Sequence, residues 1–156
     1  MNPRAIFSAA LFSGSIAGLA STLVLMARGR RETGEAATTL NGPAQWVYGK
    51  HVPYQDGFRL PYTPVGFAIH HACSIFWALA FELVTRRLRR DTTLPAALGT
   101  AAGAWIVDYH VTPQRFRPGF EHRLSRASLL GVYGAFALGL AAAHRVRTLR
   151  RERPAP

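Results

Sequence analysis

Four apolar runs alternate with basic or aromatic connections along this chain. They extend over 5–26, 64–84, 95–111 and, approximately, 124–143. A bilayer-spanning helix needs roughly 17–25 mostly apolar residues, so each run is long enough, the third only just. Backbone N–H and C=O groups find no water inside hydrocarbon, so runs of this kind read as helices. The expected fold is all-α: a polytopic membrane protein with four transmembrane helices in an antiparallel bundle and a long first connection, forming a single membrane domain over residues 1–156. The length of the first run favours a spanning helix over the shorter core of a cleaved leader.

Finer signals agree with this pattern. Small residues recur at spacing four in Gly14 and Gly18, in Gly99 and Gly103, and in Gly131, Ala135 and Gly139, which predicts close helix approach in three of the runs. Pro64 suits the first turn of a helix, Ser125 is placed to cap the fourth, and Pro113 should stop the third. The first connection begins with a polar stretch that reads as flexible, ARGRRETGEAATTL, and then becomes aromatic and Pro/Gly-punctuated. Asn41 could cap a short helix presenting Trp46, Val47 and Tyr48, within an interfacial segment of about 41–62 that lies over the bundle mouth.

Composition changes the picture in two ways. A mean hydropathy of +0.05 would suit a soluble protein, but the average hides the segregation of apolar and basic segments. The 156 residues carry a formal net charge of +11, with Lys50 the only lysine. The arginines flank apolar runs, at Arg86, Arg87, Arg89 and Arg90 and in the tail 145–156, so they predict contact with anionic lipid headgroups and no nucleic acid. The arginine bias fits a bacterial chain, hence an inner membrane. Basic residues are nearly balanced between the two sides. The dense clusters favour cytoplasmic termini, while Arg28, Arg30 and Arg31 argue against them. Cys73 is the only cysteine, which rules out an intramolecular disulfide and a Cys-rich zinc site; it reads as a small buried apolar residue.

Chemistry is suggested at one place. His70 and His71 interrupt the second apolar run, and ionisable groups in such a segment mark a functional-site hypothesis. An antiparallel topology brings His51, His70, His71, His110 and His122 to one membrane face with Asp108 and Glu121, leaving His144 at the other. Such a set can hold a transition metal or haem iron, relay protons, or simply hydrogen-bond across the bundle. The candidate metal set is His71, His70 and Asp108, with His110, Glu121 and His51 at its rim. His70 and His71 project about 100° apart, so both need not face one cavity, and His71 is favoured. Glu82 lies ~16 Å further along the axis, is excluded as a co-ligand, and is expected to pair with Arg86. Asp108 and His110 sit nearly opposite on a regular helix, so both point inward only if the helix unwinds before Pro113. Of the two, Asp108 is favoured, either as a ligand or paired with Arg115 or Arg117. His110 also suits a helix C-terminus, and Glu121 with His122 reads as a solvated loop pair. No zinc-protease motif, nucleophile elbow, phosphate loop or di-iron motif is present.

The residues Asn41-Gly-Pro43, Trp46, Gly49, Tyr62, Gly66, Ile69-His70-His71, Ser74, Trp77-Ala78, Glu82, Asp108-Tyr109, Thr112-Pro113, Arg115, Pro118-Gly-Phe-Glu121 and Leu124-Ser125 form a pattern over about residues 10–145. In it the chain resembles a group of small bacterial inner-membrane proteins with no assigned activity. That resemblance implies a four-helix integral membrane protein and no catalytic role. Three functions stay open: a binding or accessory protein whose His/Asp cluster binds a metal ion or relays protons; a membrane redox enzyme or haem b subunit; and a structural subunit of a homo-oligomer or larger membrane complex.

Overall fold

A computed structural model describes residues 3–87 and 92–152; the predicted headgroup arginines Arg89, Arg90 and Arg153 lie outside the described residues. Every regular element among the described residues is helical. Helix α1 spans Pro3–Thr33, the short α2 Gln45–Tyr48, α3 Tyr62–Thr85, α4 Thr93–Ile106 and α5 Arg126–Glu152. The segments Pro3–Thr33, Tyr62–Thr85 and Arg126–Arg150 are long and apolar enough to cross a membrane. The third predicted run differs: its regular α-helix has 14 residues and continues as a 5-residue π-helical turn, Val107–Val111. The turn closes with Thr112 N–H donating to Val107 O at 2.8 Å, and Thr112 is extended before Pro113, as a residue ahead of proline prefers.

Helix α1 packs against both α3 and α5, and α4 packs against α5 and, more loosely, α3. Close approach explains the first and last small-residue pairs. A Cβ on Gly14 would stand 2.6 Å from the Ile75 Cα, and one on Gly139 2.6 Å from the Ala17 Cα. The third-run pair is different, since a Cβ on Gly99 would meet nothing and one on Gly103 only the edge of Trp77 at 3.9 Å. The core combines small α1 residues, such as Ala10 and Ala17, with Phe81, Ala101, Phe136 and Leu140.

The polar start of the first connection is not a flexible tether. Helix α1 continues through Arg31 to Thr33, and Glu32 accepts hydrogen bonds from Ser125 N (2.6 Å), Ser125 Oγ (3.2 Å) and Ser128 Oγ. Ser125 also caps α5, its Oγ accepting from Ser128 N at 3.3 Å. The connection then folds into a cap across the end of the bundle. Thr38, Thr39, Asn41 and Gln45 are buried there. Asn41 Nδ2 donates to Gln55 O (2.9 Å) and Gly57 O (3.0 Å), and its Oδ1 accepts from Thr63 Oγ1 at 2.5 Å. Asn41 therefore staples the cap to α3 rather than capping a short helix. The third connection joins it: Gln45 Nε2 donates to Arg117 O at 2.7 Å, Arg123 Nε to Pro53 O at 2.8 Å, and Arg123 pairs with Asp56 at 2.9 Å. Val47, Tyr48, Tyr54 and Phe58 stay exposed on the outer surface of the cap.

The cap can seat only because Gly66 has no side chain. A Cβ there would fall 1.9 Å from the Leu40 carbonyl oxygen, far inside contact distance. Gly66→Ala is expected to lift the cap from α3 and lower stability by about 2 kcal/mol, in the range typical of overpacking. Thermal unfolding in micelles, together with protease sensitivity of 34–61, checks this. An unchanged midpoint would show that the cap does not rest on α3.

Candidate functional site

Three serines on α1 hold three ionisable side chains of α3. Ser13 Oγ donates to Glu82 Oε1 at 2.6 Å, Ser15 Oγ lies 3.2 Å from His71 Nε2, and Ser21 Oγ lies 3.0 Å from His70 Nε2. The spacing of Gly14 and Gly18 marks this stretch of α1 as a packing face but assigns its serines no role. The signal was there, in hydroxyls alternating with glycines inside an otherwise apolar run.

The two histidines go separate ways. His71 stacks on Phe67 and turns its Nδ1, buried and without a partner, into the α1–α3 contact beside Gly18. His70 is the one that lines a cavity. Its tautomer follows from hydrogen-bond accounting. Ser21 Oγ spends its single proton on Gly18 O at 3.0 Å, so it accepts from His70 Nε2–H, and His70 Nδ1 is left as a lone-pair acceptor. The preference for His71 is therefore reversed as regards the cavity, because α3 rotates His71 onto α1.

The cavity has a volume of about 60 Å³ and is partly open. Helix α3 contributes His70 and Cys73, α4 contributes Asp108, and α5 contributes Tyr133. Its walls include Trp46 from the cap, Trp77 from α3, and Phe120 and Phe136. Asp108 accepts a 2.5 Å hydrogen bond from the Tyr133 hydroxyl instead of pairing with Arg115 or Arg117. Asp108 reaches the interior by following Ala101 and Ala104 on the buried side of α4, and the π-helical turn does not bring the second candidate in with it: His110 is exposed. Tyr133 belongs to an aromatic group with Trp105 and Tyr109, ring centroids 5.0–6.2 Å apart. The Tyr109 hydroxyl and Glu121 Oε2 are each buried with no partner, so Glu121 is not merely a solvated loop residue.

The remaining candidates sit in the cap. His51 Nε2 is 3.5 Å from the Tyr62 hydroxyl, and His122 Nδ1 is 3.2 Å from that of Tyr54. Among the described residues no three His, Cys, Asp or Glu side chains gather as metal ligands would. The set His71, His70 and Asp108, with His110, Glu121 and His51, is thus spread over the α1–α3 contact, the cavity, the outer surface and the cap.

At the opposite end of the bundle, Glu82 does not pair with Arg86. Its carboxylate is fully buried and is held by Arg147 from α5 and Ser13 from α1. Arg147 Nη2 also donates to His144 Nδ1 at 3.1 Å, and His144 Nδ1 lies 3.5 Å from Glu82. Arg86 instead donates to Ala5 O at 3.4 Å. The i+4 rule picks the nearest cation in sequence, whereas burial favours one that can approach from a neighbouring helix. Removing one partner of a buried pair leaves an uncompensated charge, which costs about 3–5 kcal/mol. Arg147→Met is expected to destabilise the protein by about that much, and adding Glu82→Leu to recover most of the loss. Denaturant unfolding in micelles of the single and double variants measures the difference. Equal losses in both would show that the pair carries no such coupling.

No known protein family, curated protein or solved structure matches this chain.

Proposed function

We propose that this chain is a multi-pass protein of a bacterial inner membrane that crosses the bilayer four times and binds a small molecule in the cavity around His70 and Asp108. Three helices are long and apolar enough to serve as spans. The fourth is α4 extended by its π-helical turn, which together approach the ~30 Å of a hydrocarbon core. Large apolar side chains on the outer surface, among them Phe76, Leu130 and Leu138, are more than half exposed, which suits lipid rather than water. Arg86, Arg87, Arg145 and Arg150 lie at the end that carries both termini, which favours a cytoplasmic location for it. The exposed aromatic residues of the cap lie at the other interface.

The observation that carries the binding role is the convergence of His70, Asp108 with Tyr133, and Cys73 on an open-sided space among aromatic walls, instead of on one another. Ligand sites have this composition: mostly apolar, with a few convergent polar groups. The cap covers the cavity from above, and α1 and α5 close it behind. The loosest wall is between α3 and α4, where Ile69, Cys73 and Trp77 are partly exposed, so the entrance faces the bilayer.

The lone cysteine reports on this opening. Methylmercury, small and membrane-permeant, is expected to modify Cys73 in the folded protein, and Ala104→Phe, which fills the cavity, to slow the reaction about tenfold or more, equivalent to 1.4 kcal/mol of barrier. Mass spectrometry of the intact chain over time reads the rate. Modification of Cys73 only after unfolding would refute an open cavity.

A further inference from the structure

Resting on the binding role proposed above, we infer that the cavity receives a primary ammonium group, the head of a small apolar amine whose chain leaves between α3 and α4. The argument begins with charge. The chain carries 19 Lys and Arg against 8 Asp and Glu, yet among the described residues no lysine or arginine lines the cavity and Asp108 is its one acid. The fully buried Glu82 has Arg147, and Glu121 lies 3.8 Å from His122. Asp108 has a phenol and no cation. A carboxylate at membrane depth is costly without a counter-charge and marks a substrate or ion site.

The remaining groups fit the same ligand. Tyr133 donates to Asp108 Oδ2, which leaves Oδ1 to accept from an incoming N–H. His70, held in the Nε2–H form by Ser21, offers a lone pair at Nδ1 and cannot donate there. Asp108 and His70 thus offer acceptors, and the lining has no cationic side chain among the described residues to meet an anion. Trp46, Trp77, Phe120 and Phe136 add aromatic faces, which attract a cation by their quadrupoles. About 60 Å³ has room for an ammonium group and its first carbons. The open side accommodates the rest of the chain in lipid.

The test uses the full chain in nanodiscs of zwitterionic lipid and three probes of one chain length: octylammonium, 1-octanol and octanoate. Saturable change in tryptophan fluorescence and in the thermal midpoint reads binding. Octylammonium is expected to bind at least about tenfold tighter than the alcohol, a difference of 1.4 kcal/mol, and octanoate to bind weakest. Folded Asp108→Asn is expected to lose that preference, while Tyr133→Phe, which keeps the carboxylate, retains it. If Asp108→Asn does not fold, the ranking of the three probes by the natural chain decides alone. Equal binding of alcohol and amine, tighter binding of octanoate, or a preference that survives in Asp108→Asn would each overturn the ammonium assignment. If Cys73 is meanwhile open to methylmercury, the cavity stands and only its charge preference falls; if Cys73 is also inert, both readings fall together.

Discussion

The contact between α1 and α3 is the interaction on which the rest of the molecule depends. Hydrophobic burial distinguishes little between helices that already sit in lipid, so close packing and hydrogen bonds must do more of the work. Here both come from the same face of α1. Gly14 and Gly18 let the backbones approach, and Ser13, Ser15 and Ser21 reach across to Glu82, His71 and His70. The spacing of the serines sets the rotation of α3. That rotation sends His71 into the contact, leaves His70 facing the cavity, and delivers Glu82 to Arg147.

The two ends of the bundle are built on different principles. One is closed by charge, with Glu82, Arg147, His144 and Ser13 joining α1, α3 and α5. The other is closed by a folded connection whose polar side chains are satisfied internally, Asn41 making three hydrogen bonds at once. Buried polar networks of this kind rigidify when every member is satisfied. Between these two ends, the α3–α4 wall is left comparatively open, and the cavity lies against it.

Much of the fold was legible in the sequence. The apolar runs located the long helices, Ser125 and Pro113 marked two boundaries, and Gly14 and Gly139 marked close approaches. What escaped was governed by partners distant in the chain. Thr38, Thr39, Asn41 and Gln45 look like loop residues because their burial depends on the third connection, some 70 residues away for Gln45. Glu82 looked local because Arg86 is its neighbour on the helix, while its real partner is 65 residues on. The site was legible in its ingredients, His70 and Asp108, but not in its assembly. Two adjacent histidines 100° apart are symmetric candidates until something fixes the helix rotation, and the α1 serines do so.

The π-helical turn at Val107–Val111 is a matter of phase. Winding five residues where an α-helix would wind about four, it behaves as a one-residue insertion absorbed without a loop. Asp108, at its start, keeps the inward register of Ala101 and Ala104 and stands about 200° round from the exposed Ile106, whereas the residues after the turn are rotated relative to α4. A protein that changed the length of this turn by a single residue would keep Asp108 in the register of α4, yet would send the chain towards Pro113, and so the third connection, in a different direction. The seating of the cap against the third connection is in that sense a reading frame, set by one extra residue in one turn.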